Sequence, residues 1–142
     1  MPSDETTEAS STPNPNPTVD DARARVLVVD DEPAVGRAIR RMLMPYDVTL
    51  VDGGAAALAL LERDPSFDAI VCDVSMPEVS GLDVYESLAR MNPDLARRFV
   101  FVSGGAFDVR TRDLLEKCGV TVVDKPCIPT ELRDVVASRV KQ

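Results

Sequence analysis

The stretch Val26-Leu27-Val28-Val29-Asp30-Asp31-Glu32-Pro33 decides the fold. An unbroken branched-aliphatic run fits a strand covered on both faces, whereas a half-exposed strand would alternate apolar with polar. Acids end the run, and Pro33 suits the first turn of a helix, where a missing N–H costs nothing. The same order recurs down the chain. Apolar runs follow at Val48-Thr49-Leu50-Val51, Ala69-Ile70-Val71-Cys72, Phe99-Val100-Phe101-Val102 and Val120-Thr121-Val122-Val123. Helical patterns lie between them. Val35, Ile39, Met42 and Leu43 form one stripe, with Pro45 after its end. Ala55 to Arg63 is rich in strong helix formers, and Leu82 to Met91 is framed by Gly81 and Pro93. Phe107 to Cys118 stops at Gly119, which suits a left-handed cap. Pro129 to Val140 places Leu132, Val135, Val136 and Val140 on one side. Residues 25–142 therefore predict an α/β fold of five βα units: a doubly wound, five-stranded parallel sheet with right-handed crossovers.

Residues 1–24 have a different composition. They hold four prolines, seven Ser/Thr and five acids against one base, with Met1 and Val19 as the large apolar residues. Such a segment buries too little surface to offset its ordering entropy, so it reads as a disordered, acidic tail ahead of one domain at 25–142.

Composition narrows the chemistry. The 142 residues include no histidine. That excludes a Ser-His-Asp triad, an imidazole metal ligand and an imidazole phosphoryl carrier on this chain. The balance of 24 acids against 16 bases gives a net charge of −8. Neither nucleic acid nor an anionic membrane is expected as a partner, since both need a basic face. A hard divalent cation, which prefers oxygen ligands, fits better. Cys72, Cys118 and Cys127 have no metal-site spacing, and no apolar run approaches a membrane span. The expectation is a cytoplasmic protein.

Ligands of open α/β sheets bind outside the carboxyl ends of the strands. Asp30 and Asp31 follow the first run, Asp52 the second, Asp73 the third, Ser103 the fourth, and Asp124 and Lys125 the fifth. A flavodoxin-like strand order of 2-1-3-4-5 sets Asp52 at an edge and gathers Asp30, Asp31, Asp73, Ser103 and Lys125. Three neighbouring carboxylates repel one another unless a cation joins them, and Mg²⁺ is the natural choice. Metal, lysine and hydroxyl together stabilise a phosphoryl group, and one carboxylate could act as its nucleophile. Singly, each motif has a plainer reading: acids at a helix start, a turn aspartate, a Ser-Gly-Gly loop, a solvated Lys-Pro turn. Their joint placement at successive strand ends selects the site.

With these residues in place, the chain resembles the response-regulator receiver domains (CheY-like) of two-component phosphorelay signal transduction. The resemblance runs over about residues 25–140. It rests on Val26-Leu27-Val28-Val29-Asp30-Asp31-Glu32, Asp68-Ala69-Ile70-Val71-Cys72-Asp73-Val74-Ser75-Met76-Pro77, Gly81-Leu82-Asp83, Phe101-Val102-Ser103-Gly104-Gly105 and Asp124-Lys125-Pro126. It implies Asp73 as the phosphoacceptor, yielding a phosphoaspartate. It also implies Asp31, Asp73 and the Ser75 main-chain carbonyl as Mg²⁺ ligands, with Asp30 acting through water. Ser103 and Lys125 would bind phosphoryl oxygens, and the peptide before Pro126 would be cis. The implied donor is a histidine kinase or histidine phosphotransfer protein, and a further protein would receive the signal. The run Ser103 to Phe107 is similar to receivers attached to hybrid sensor histidine kinases. With 17 residues after Lys125, no output domain is expected to follow.

Two positions depart from the family pattern. Val122 stands where an aromatic residue usually rotates, three residues before the lysine, and Cys127 stands where Phe usually follows Lys-Pro. Val122 motivates an alternative: a phosphorylation-independent adaptor with a receiver fold. An aspartate-nucleophile phosphatase needs a second acid where Ser75 stands, and a flavin protein needs a phosphate cradle where Asp30 and Asp31 stand. The chain is thus expected to catalyse only its own phosphoryl transfer and dephosphorylation, and not to be an enzyme on other substrates.

Overall fold

The computed structural model describes residues 24–104 and 109–140. Residues 1–23, almost the whole of the expected tail, lie outside the described residues. Ala24, assigned to the tail by composition, is instead buried, and its carbonyl accepts from the Asp47 N–H at 2.9 Å.

The elements are β1 (Arg25–Val29), α1 (Pro33–Met42), β2 (Asp47–Val51), α2 (Gly54–Arg63), β3 (Ala69–Asp73), α3 (Gly81–Met91), α4 (Pro93–Ala96), β4 (Phe99–Ser103), α5 (Val109–Cys118), β5 (Thr121–Asp124) and α6 (Pro129–Val140). The strands are all parallel, in the order β2-β1-β3-β4-β5, which is the predicted 2-1-3-4-5. Among the described residues, the one element not expected is α4. Pro93 ends α3, but it also starts a new turn, because the Asn92 side-chain oxygen accepts the Leu95 N–H at 3.2 Å.

Strand residues alternate between two cores. Leu27, Val29, Ile70, Cys72, Phe99 and Phe101 pack with Ala57, Leu61, Val84, Leu88 and Leu115, beneath α2, α3 and α5. Val26, Val28, Ala69, Val71, Val100, Val102 and Val123 pack with Ile39, Leu132 and Val136, beneath α1 and α6. Both faces of each central strand are thus covered, which explains the unbroken apolar runs. Gly119 closes α5 with φ of 69°, the left-handed cap its sequence position predicts. At the amino ends of the strands, the Arg25 guanidinium lies 3.1 Å from Asp64 and 4.2 Å above the Phe67 ring.

Candidate functional site

The alternation that divides the cores also aims the site. Asp30 continues the series Val26, Val28, and Asp73 continues Ala69, Val71, so both carboxylates belong to the α1/α6 side of the sheet. Val29 pairs with Cys72, which sets Asp30 and Asp73 side by side just beyond the last pair. Lys125 continues Val123 on the same side. Ser103, following Phe99 and Phe101, has the opposite parity.

The carboxylate oxygens of Asp30, Asp31 and Asp73 lie within 4.8 Å of one another. Asp30, Asp73 and Ser103 are buried, and Asp31 is half-buried. Lys125 reaches across from β5. Its Nζ donates to Asp30 Oδ2 at 3.0 Å and lies 3.5 Å from Asp73 Oδ2. The strand ends are tied together as well: the Lys125 N–H donates to the Ser103 carbonyl at 2.7 Å, and the Val74 N–H to the Val102 carbonyl at 3.0 Å. Lys125–Pro126 is a cis peptide, as the sequence resemblance implies.

Each acid is oriented locally. The Glu32 N–H donates to Asp30 Oδ1 at 2.9 Å, and the Ser75 N–H donates to Asp73 Oδ1 at 3.3 Å. Burial pushes the Asp73 carboxyl above the usual carboxylate range; Lys125 opposes this, and the Asp30 charge adds to it. Burial works against the Lys125 ammonium, but its contacts with Asp30 and Asp73 outweigh that and raise its pKa.

Asp30, Asp31, Asp73, Ser103 and Lys125 are therefore assembled at the carboxyl ends of β1, β3, β4 and β5. Ser75 is exposed on the loop after β3. Asp52, set aside by the strand order, is exposed beyond edge strand β2. The donor set suits a hard cation, since three carboxylates face one ammonium. The resting Asp30–Lys125 pair was not read from sequence, although three acids around one lysine was the available signal. Also unread was an apolar groove of about 540 Å³ beside Lys125, whose walls include Ala34, Ala38, Met42, Pro126 and Cys127. Gly105 to Phe107, which carry the likeness to hybrid-kinase receivers, lie outside the described residues.

Comparison with known proteins agrees with this fold. The family model for the response regulator receiver domain matches residues 26–137. The two-component response regulator ARR14 of Arabidopsis thaliana is 32% identical over 114 residues, covering 78% of this chain and 29% of that protein. The alginate biosynthesis transcriptional regulatory protein AlgB of Pseudomonas aeruginosa is 31% identical over 126 residues, covering 87% of this chain and 27% of that protein. The chain thus spans less than a third of either relative's length. Among solved structures, a response regulator receiver domain protein from Clostridium thermocellum superposes with a TM-score of 0.75 at 23% identity, over 83% of this chain and 94% of that one.

Proposed function

The chain belongs to the response regulator receiver domain family, and from that premise we propose that it accepts a phosphoryl group on Asp73 from a phosphohistidine of a separate kinase or phosphotransfer protein. What carries this reading is the Asp30–Lys125–Asp73 contact: a nucleophile beside a mobile cation in a cluster of acids. An ionised Asp73 oxygen attacks phosphorus, the P–N bond of the donor breaks, and the imidazole nitrogen keeps the electron pair. Asp30, Asp31, Asp73 and the Ser75 carbonyl would hold Mg²⁺, which when bound supplies positive charge against the phosphoryl oxygens. Lys125 then exchanges its carboxylate partners for a phosphoryl oxygen, and the Ser103 hydroxyl donates to another. The apolar groove beside Lys125 offers the donor a surface next to the reacting atom.

The same reading makes the chain a phosphoacceptor and not an enzyme acting on a separate substrate. Its acidity favours protein partners over nucleic acid or anionic membrane, and a donor kinase domain implies a cytoplasmic setting. Among the described residues no helix is long and apolar enough to cross a membrane.

Mg²⁺ plus a small phosphodonor should add about 80 Da, one phosphoryl group on one carboxylate. If Asp73→Asn gains the same mass at the same rate, Asp73 is not the acceptor.

A second reading, an adaptor whose partner binding ignores the state of Asp73, is favoured by Val122. This residue is half-buried against the α2/α3/α5 core, where the resemblance leads one to expect an aromatic. Partner binding that does not change on adding beryllofluoride and Mg²⁺ would support it.

A further inference from the structure

We propose that Gly54, at the start of α2, is a positioning residue for the loop that carries Ser75, and so sets the affinity of the acidic site for Mg²⁺. The inference rests on the proposed function, and it concerns a residue outside the site cluster.

The loop of residues 74–80 leaves β3 directly after Asp73. It is pinned at several points. Val74 and Met76 are buried in the α2/α3/α5 core. The Gly81 N–H donates to the Val74 carbonyl at 2.9 Å, closing the loop at its base, and the Val79 N–H donates to the Pro77 carbonyl at 2.7 Å. Ser80 and Asp83 form a reciprocal capping box, with bonds of 3.1 and 3.0 Å. Glu78 is held at φ of 67°, a conformation that L side chains adopt only under constraint. A loop bound this tightly transmits a push at one end to the other.

Gly54 supplies the outer wall. A Cβ at this position would stand 2.6 Å from both the Val79 carbonyl oxygen and Val79 Cγ1, and 2.8 Å from Val79 Cβ. Main chain cannot yield as a flexible side-chain tip can, so only glycine lets α2 approach the loop this closely. On the inner side a Cβ at Gly81 would collide with the Asp73 carbonyl. The loop is therefore gripped between two glycines, one against Asp73 and one against Val79. The Ser75 N–H reaches Asp73 Oδ1 from within this grip. Displacing Val79 away from α2 moves Ser75 relative to the carboxylates while leaving Asp30, Asp31, Asp73 and Lys125 at their strand ends.

Gly53 is a built-in control. Its φ of −179° is ordinary extended backbone, and a Cβ there meets nothing within 4 Å. An alanine fits at 53 and not at 54.

The test compares the whole wild-type chain with Gly53→Ala, Gly54→Ala, Val79→Ala and Gly54→Ala/Val79→Ala. The readouts are the Mg²⁺ dependence of the melting temperature without phosphodonor, and the Mg²⁺ dependence of mass gain with a small phosphodonor. Gly53→Ala should match wild type. Gly54→Ala should need about tenfold more Mg²⁺, in the range usual when groups supporting a metal site are disturbed, with a saturated phosphorylation rate within about twofold of wild type. The double variant should recover part of the affinity, because it removes the Cγ1 contact and leaves those to the carbonyl oxygen and Cβ. Unchanged Mg²⁺ affinity in Gly54→Ala, or an equal loss in Gly53→Ala, overturns the inference alone. If Gly54→Ala does not fold, Val79→Ala decides, since it removes the side-chain part of the contact with Gly54: weakened Mg²⁺ affinity supports the inference and unchanged affinity overturns it. A wild-type chain that responds to neither Mg²⁺ nor phosphodonor overturns the proposed function, and this inference with it.

Discussion

Lys125 sits unequally between two acids, 3.0 Å from Asp30 and 3.5 Å from Asp73. The shorter contact is the hydrogen-bonded one, so at rest the ammonium belongs chiefly to Asp30. Lys125→Met should leave Asp30 buried without its counter-charge and cost about 2 kcal/mol, the usual loss for a hydrogen bond to a charged group. Urea unfolding of wild type and variant checks this. Adding Asp30→Asn should return part of the lost stability, because Asp30 is then neutral while buried Asp73 still lacks its lysine.

Asp73 is the acid less well served by that lysine, and it is crowded by Asp30. Asp73→Asn should therefore stabilise the metal-free chain while abolishing phosphorylation. A gain of about 1 kcal/mol would raise the melting temperature by roughly 3–5 °C in a domain of this size. Calorimetric melting in a chelating buffer measures it, and a lower melting temperature would contradict the arrangement of charges described here.

Asp64, at the opposite pole, should shape the acid limb of stability. Its pKa is held below the usual carboxylate value by the Ser66 hydroxyl at 2.6 Å, then by the Ser66 N–H and by Arg25. A depressed folded pKa means stability that is present above the unfolded value and lost as pH falls through the folded one. Asp64→Asn should lower stability most in the neutral range and flatten the curve below the ordinary carboxylate pKa, where variant and wild type converge. Melting temperatures across the acid range give the answer.

Two left-handed residues make a paired prediction. Gly119, at φ of 69°, meets no steric obstacle to a Cβ, so Gly119→Ala isolates the backbone cost of about 1 kcal/mol. Glu78, at φ of 67°, bears that cost already. Glu78→Gly should stabilise by only about 0.5 kcal/mol, because glycine's extra freedom in the unfolded chain offsets part of the relief. Unfolding curves of the two variants should move in opposite directions.

Much of this was legible in the residues. Unbroken runs such as Val26 to Val29 announced strands with two covered faces, and the acids and lysine at their ends announced the site. Gly119 was readable as a cap because it terminates a helical pattern. The α4 turn was not, because Pro93 serves equally well as the end of one helix and the start of another. Nor could sequence distinguish Gly53 from Gly54: adjacent glycines read alike until the distance to Val79 separates them. The Asp30–Lys125 pair joins residues 95 positions apart. Only the strand order brings it together, and only side-chain geometry shows which acid holds the lysine.

Because neighbouring residues along each strand serve opposite layers, the two cores meet chiefly through the backbone of the sheet. Asp30, Asp73 and Lys125 have the parity of the α1/α6 layer, and Ser103 and Val122 that of the other. The site is therefore shared between the layers: one carries most of its charge, and the other holds the Ser103 strand and, through Val74 and Met76, the Ser75 loop. A change of packing under α3 reaches the acidic site through that loop, without passing through the layer that bears Asp30 and Asp73.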